Sequence, residues 1–195
     1  VPKGKVLNKS GEMFKVFTPF KKAWVERIKS SGFNYVGKPH SIFNVAELNP
    51  IQNVLVEDEQ IQNKQSLSAS WPLVDVVEQD VIPNFLCEKL LDYSHYRDIP
   101  SIKGTSGLSP YLAIGALSPR YLLMLLVNRY PDILEDIKSP RFTWLNELIW
   151  RDFYRHLIYH VPNLCKHQSF NHKYQQTQWP NEQTQFDAWC EGKTG

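Results

Sequence analysis

Hydrophobic and polar positions divide the chain into three regimes. Near the start, residues 13–17 (MFKVF) alternate apolar and polar outward from Phe14, which predicts a short strand. Thr18 and Pro19 then read as a helix start, a hydroxyl for the cap and a fixed φ for the first turn. The predicted helix runs to about Ser30, with Gly32 as its stop. One strand and one helix cannot bury their apolar side unaided, so this segment is expected to belong to a sheet whose other strands lie elsewhere. Residues 38–80 show no sustained period and are rich in Asn, Gln, Ser and Glu, punctuated by Pro50 and Pro72. So long an unpatterned stretch is unusual inside one compact domain and predicts a linker between two.

From Pro83 the pattern turns helical and stays so. Residues 84–96 read as one helix, 104–109 (GTSGLS) as a loop. Three Ser–Pro pairs, at 109–110, 118–119 and 139–140, each precede an apolar-periodic run and predict helices through Ala116, Tyr130 and Val161. Pro162 ends the third. Residues 162–180 read as polar loop, and 182–191 as a last helix stopped by Gly192. The fold class expected is mainly α.

The stretch 141–161, RFTWLNELIWRDFYRHLIYHV, is the centre of this arrangement. At about 100° per residue, Trp144, Glu147, Trp150, Arg151 and Tyr154 fall on an arc of roughly 120°. Leu145, Ile149, Phe153, Leu157, His156 and His160 occupy the opposite arc. A helix apolar on both sides is usually internal. Buried charges need partners, and Glu147 and Arg151 stand i, i+4 in the favourable order, so the pattern predicts that they pair with each other. Two readings are open on the arc alone: a packed core helix with one ion pair, or the wall of a ligand or base-stacking pocket.

Composition adds bounds. The apolar fraction of 42% and charged fraction of 22% are ordinary for a globular protein. The net charge of +2 excludes the strongly basic footprint of a protein that announces nucleic acid by charge alone. Three cysteines with no CxxC pattern fit a reducing cytoplasm, not a disulfide framework. The longest apolar run, 121–127, is too short to span a bilayer, and VPKGK at the start carries no signal-peptide core. Without an initiator Met, and ending at EGKTG straight after a helical pattern, the chain is expected to be part of something longer.

Two stretches could carry chemistry. The loop 104–109 combines two glycines with three hydroxyls directly before a helix N-terminus, which suits a phosphate as well as it suits a tight turn capped by Ser109. His156 and His160 share a helix face, but HExxH is absent and Cys165, His167 and His172 lack ligand spacing, so no metal site is expected. The EGKTG tail lacks the earlier glycine of a P-loop. With no nucleophile elbow or catalytic triad signature, any reaction would depend on a bound cofactor.

As a set, FKVFTPFKKAW (14–24), YRDIPSIKGTSGLSPYLAIGALSPRYLL (96–123), FTWLNELIWRDFYRHLIYHVPNLCKH (142–167) and AWCEGKTG (188–195) resemble the DNA photolyase/cryptochrome family, and most of all its bacterial cyclobutane-pyrimidine-dimer photolyases. The resemblance implies three parts: residues 1–37 as the end of an α/β antenna domain, 38–82 as the interdomain linker, and 83–195 as the first part of a helical domain that binds FAD and DNA. It implies FAD contacts for Tyr93, Thr105, Ser106, Gly107, Leu108, Ser109, Trp144 and Arg151. It places Glu147 and Trp150 at the lesion, the carboxylate hydrogen-bonding flipped pyrimidines and the indole stacking on them. Arg97, Arg151 and Tyr154 would meet UV-damaged DNA. Cys165 and Lys166 would touch a methenyltetrahydrofolate antenna, and Trp179 would be the outermost member of the tryptophan chain that photoreduces the flavin. Gly107 departs from relatives that carry Arg there. The implied protein is a cytoplasmic, monomeric repair lyase. A cryptochrome-type photoreceptor and a non-catalytic helical interaction module are the alternatives.

Overall fold

A 21-residue helix, α7 (Pro140–His160), forms the axis on which the other elements pack. The computed structural model describes residues 1–33, 35, 37, 71–178 and 180–194. Most of the expected linker, 38–70, therefore lies outside the described residues. The described chain is mainly helical, as the periodicity predicts.

The alternation at 13–17 does not become a strand. Met13 makes an isolated antiparallel bridge with Leu7, and the chain enters α1 (Phe17–Ser31) at Phe17. With no second strand among the described residues to extend the ladder, the backbone groups of 14–16 have no sheet partner there. Thr18 falls inside the first turn instead of capping it, because Val16 holds the extended N-cap position. Gly32 closes α1 as expected, with φ 64° and its N–H donating to the Ile28 carbonyl. The apolar face of α1 packs directly on α7. Phe20 meets Phe153 and His156 at ring-centroid distances of 5.2 and 5.1 Å, and Trp24 Nε1 donates to Asp152 Oδ2 at 2.9 Å.

Helical backbone begins at Val74, ahead of the expected start near Pro83. The run alternates α2 (Val74–Val76), a π segment (Val77–Val81), α3 (Ile82–Asn84) and a second π segment (Phe85–Lys89), before turning into α4 (Tyr93–Tyr96). Pro83 supplies no N–H and its ring excludes the carbonyl one turn back. On either side the ladder widens, with Ile82 N–H donating to Val77 O and Leu90 N–H to Phe85 O, both i to i−5. The predicted single helix over 84–96 is thus two unlike pieces joined by a turn.

The three Ser–Pro starts are not equivalent. Ser118 Oγ accepts from Arg120 N–H at the head of α6 (Pro119–Arg129), and Ser139 Oγ from Phe142 N–H at the head of α7. In α5 (Ser109–Ile114) the cap is Leu108, and Ser109 is already inside the helix. Gly115, with φ 79°, ends α5. Beyond α7, two 3₁₀ turns (Pro162–Lys166 and His172–Tyr174) lead to α8 (Gln183–Cys190), followed by Gly192 at φ 68°.

The core runs along the inner side of α7. Leu145 and Ile149 are fully buried there, with Phe142, Phe153 and His156 beside them. Leu122, Leu123 and Leu126 of α6 and Phe17, Phe20, Trp24 and Ile28 of α1 complete it. The far end of α7 is less enclosed, since Tyr154, Ile158 and Tyr159 are exposed. No helix among the described residues is long and apolar enough to cross a membrane.

Candidate flavin and lesion cavity

The 104–109 loop is pinned from behind. A Cβ on Gly104 would lie 2.5 Å from Tyr96 Cβ and 3.0 Å from the Tyr96 carbonyl carbon, so only glycine lets the loop leave α4 so closely. Gly107 takes φ 66° with open space where a side chain would point. The loop then runs across α7, and Trp144 Nε1 donates to Ser106 Oγ at 3.3 Å. Trp144 is buried against Phe85, with ring centroids 5.2 Å apart.

These contacts border an open cavity of about 470 Å³. Its walls hold Tyr93, Thr105, Ser106, Gly107, Leu108, Ser109, Trp144, Glu147 and Arg151, together with Leu112, Ala113 and Leu148. All eight residues expected to hold a cofactor therefore line one space, and Glu147 joins them. The last three did not stand out in the sequence. Leu112 and Ala113 follow from α5 crossing α7, a tertiary event that no local pattern encodes. Leu148 lies about 40° beyond Trp144, just outside the arc that carries Glu147 and Arg151.

The ionic arrangement differs from the expected pair within α7. Glu147 accepts from Arg97 at the end of α4, and Arg151 turns the other way, its Nη2 donating to the Leu112 carbonyl at 3.0 Å. The i, i+4 pair is replaced because each charge has a nearer partner on a neighbouring element. The hydrogen bond to Glu147 holds the Arg97 guanidinium more firmly protonated than usual. Arg97 also lies 5.5 Å from the Tyr93 ring centre. Burial raises the Tyr93 phenol, and the Glu147 charge adds to the shift. Burial pushes Arg151 down from its ordinary value, and its Nη1 is buried without a partner among the described residues. An orphaned cationic donor in a cavity wall, beside a row of hydroxyls, is a donor set suited to phosphate or sugar oxygens.

Trp150 and Tyr154 are placed elsewhere. Trp150 stacks on Phe17 of α1, with centroids 3.5 Å apart and planes at 7°, and the Tyr154 ring is stacked near it at 5.6 Å and 23°. The expected single wall of five residues is therefore two. Trp144 and Trp150 mark opposite edges of the 120° arc, so a neighbour packed on one edge does not reach the other. Cys165 and Lys166 are exposed in the first 3₁₀ turn, away from the cavity lining. Trp179 lies outside the described residues. His156 is a core residue, its Nδ1–H donating to the Asp152 carbonyl at 2.8 Å. Among the described residues no group of three or more His, Cys, Asp or Glu is placed to hold a metal ion.

Comparison with known proteins bears on what this cavity is. Residues 144–195 match the FAD binding domain of DNA photolyase. The whole chain aligns with the deoxyribodipyrimidine photo-lyase of Escherichia coli at 37% identity and with that of Vibrio cholerae, also at 37%. Over its whole length the chain is similar to DNA photolyases. The photo-lyase of Salmonella typhimurium is 40% identical over 98% of the chain. The chain spans 40%, 41% and 40% of these three relatives, about two fifths of a photolyase. The flavin-domain match begins at Trp144, the first of the cavity residues on α7. The α5 and loop residues that complete the cavity lie upstream of that match.

Proposed function

We propose that the protein carrying this sequence is a light-driven deoxyribodipyrimidine photolyase, which binds FAD and UV-damaged DNA and splits cyclobutane pyrimidine dimers. One observation carries the reading: a single cavity gathers the hydroxyl loop, the Trp144 indole, the Glu147 carboxylate and the orphaned Arg151 donor in a chain of photolyase ancestry. Thr105, Ser106 and Ser109 would hold the phosphates and ribityl of the cofactor, with Tyr93, Gly107 and Leu108 forming the rest of the cradle. Arg151 Nη1 would donate to the nearest anionic oxygen. A bound reduced flavin supplies a photoexcited electron for transfer to the lesion. The work left to the protein is to receive a base out of the stack, hold it and exclude water. Glu147 accepts from pyrimidine N–H groups, Arg97 keeps that carboxylate in place, and Trp150 offers an apolar face. Arg97, Arg151 and Tyr154 also meet the DNA strand. Trp179 begins the path by which the flavin is reduced. Cys165 and Lys166 touch the antenna, taken to be methenyltetrahydrofolate. Residues 1–37 close the antenna domain, 38–82 link, and 83–195 open the helical domain of a monomeric, cytoplasmic enzyme.

The test is light-dependent loss of dimers from irradiated oligothymidine with the complete protein. Loss that stops in the dark and in Glu147→Ala supports the repair reading, while flavin binding without any loss points to a photoreceptor. A cavity of about 470 Å³ has room for only part of a dinucleotide. The 195-residue chain alone is therefore expected to purify without a flavin absorption band.

A further inference from the structure

Trp150 stands outside the cavity lining, and the two rings stacked near it are held very differently. Phe17 lies against one face at 3.5 Å, nearly parallel, and is itself buried. The Phe17 ring is wedged edge-on against Phe153 at 5.7 Å, and Lys21 Nζ sits 5.6 Å from its centre. The same Phe153 meets Trp150 edge-on at 5.7 Å, so the three rings lock one another. Tyr154, the other ring stacked near the indole with centroids 5.6 Å apart, is 55% exposed, and among the described residues its ring contacts are with Trp150 and Phe153 alone. One face of the indole is sealed by the buried Phe17 ring. Its second stacked neighbour is a side chain with solvent to move into.

We infer that Phe17, from the first helix, is a positioning residue for lesion binding: it fixes the plane of the Trp150 indole from behind, so that a pyrimidine stacks only from the Tyr154 side. This rests on the reading of Trp150 as the base-stacking residue. Stacking strength depends on a ring being presented at a fixed tilt, and a buried parallel neighbour supplies that without touching the base. It also assigns α1, far from α7 in sequence, a part in recognition.

The experiment measures the preference of the complete protein for a dimer-bearing oligothymidine over the undamaged strand. Phe17→Leu keeps the apolar volume and loses the plane, Phe17→Tyr keeps the plane, and Trp150→Ala removes the stacking surface. Phe17→Leu is expected to lower the preference roughly three- to tenfold, the scale of one aromatic pair. Phe17→Tyr is expected to stay within about twofold of the parent, with all variants melting as folded proteins. If Phe17→Leu keeps the preference while Trp150→Ala abolishes it, the positioning role is wrong and the stacking role stands. If Trp150→Ala keeps the preference, the stacking role itself is wrong and the inference goes with it.

Discussion

Arg97 and Arg151 illustrate two uses of one side chain. Arg97 is partly exposed and ion-paired with Glu147, which is also partly exposed. Pairs of this kind contribute little to stability, about 0–1 kcal/mol. Arg97→Ala is therefore expected to leave the melting temperature nearly unchanged and to weaken binding of dimer-bearing DNA by freeing the carboxylate to rotate. A filter-binding titration beside a thermal melt checks both halves. Arg151 is the reverse case. Its Nη1 is buried with no acceptor, a destabilising arrangement in the flavin-free protein. Arg151→Met is expected to melt at or above the temperature of the flavin-free parent and to retain less flavin, read from the visible absorption of the complete protein after purification. A lower melt with flavin retention intact would show that Arg151 serves the fold and not the ligand. Neither arginine's partner was legible in the sequence. The i, i+4 spacing of Glu147 and Arg151 predicts a pair within the helix, but that rule describes an isolated helix surface. Here the Arg97 guanidinium and the Leu112 carbonyl arrive from other elements.

At the level of elements, local chemistry predicted best where the signal was local. Ser118 and Ser139 cap their helices as Ser–Pro starts should, and Ser139→Ala is expected to destabilise by about 1 kcal/mol in chemical denaturation. Gly32 and Gly192 stop helices with the positive φ that glycine adopts freely. The prediction weakened where the backbone left the 3.6-residue period. The π segments at Val77–Val81 and Phe85–Lys89 carry more residues per turn, so apolar positions such as Val77, Ile82 and Phe85 fall out of the expected register. That is why helical structure from Val74 read as linker. The 104–109 loop was recognised from its glycines and hydroxyls, but not the reason for its first glycine. Gly104→Ala forces a methyl group into Tyr96 and is expected to destabilise by roughly 1–3 kcal/mol while displacing the loop that carries Thr105 and Ser106. Loss of flavin from an otherwise folded Gly104→Ala protein would be the visible result.

For the molecule as a whole, the fold class and the polar and aromatic lining of the cavity could be read from the chain, and its aliphatic lining and the division of α7 into two walls could not. A helical wheel gives angles, whereas the neighbour that occupies each angle is decided by how α1 and α5 dock. The docking of α1 leaves a mark on pH dependence. His156 is buried beside Phe20, and burial holds its imidazole below the ordinary value against the opposing pull of the Asp152 carbonyl. A group depressed in this way keeps its full contribution to stability above the unfolded value, near pH 6.5, and loses it as the pH falls through the folded value. The melting temperature is expected to drop between pH 7 and pH 5, and His156→Phe is expected to flatten that slope. A slope unchanged by the substitution would assign the acid sensitivity to other groups.

Leu148 lines the cavity beside Trp144, and it also lines a second, smaller void of about 260 Å³ bounded by Trp24, Leu123, Leu145, Asp152 and Arg155. One isobutyl group is thus shared by a hollow lined from α5 and one lined from α1 and α6. Truncating it would widen both at once, so the shape of two hollows depends on a residue with no polar atom in its side chain.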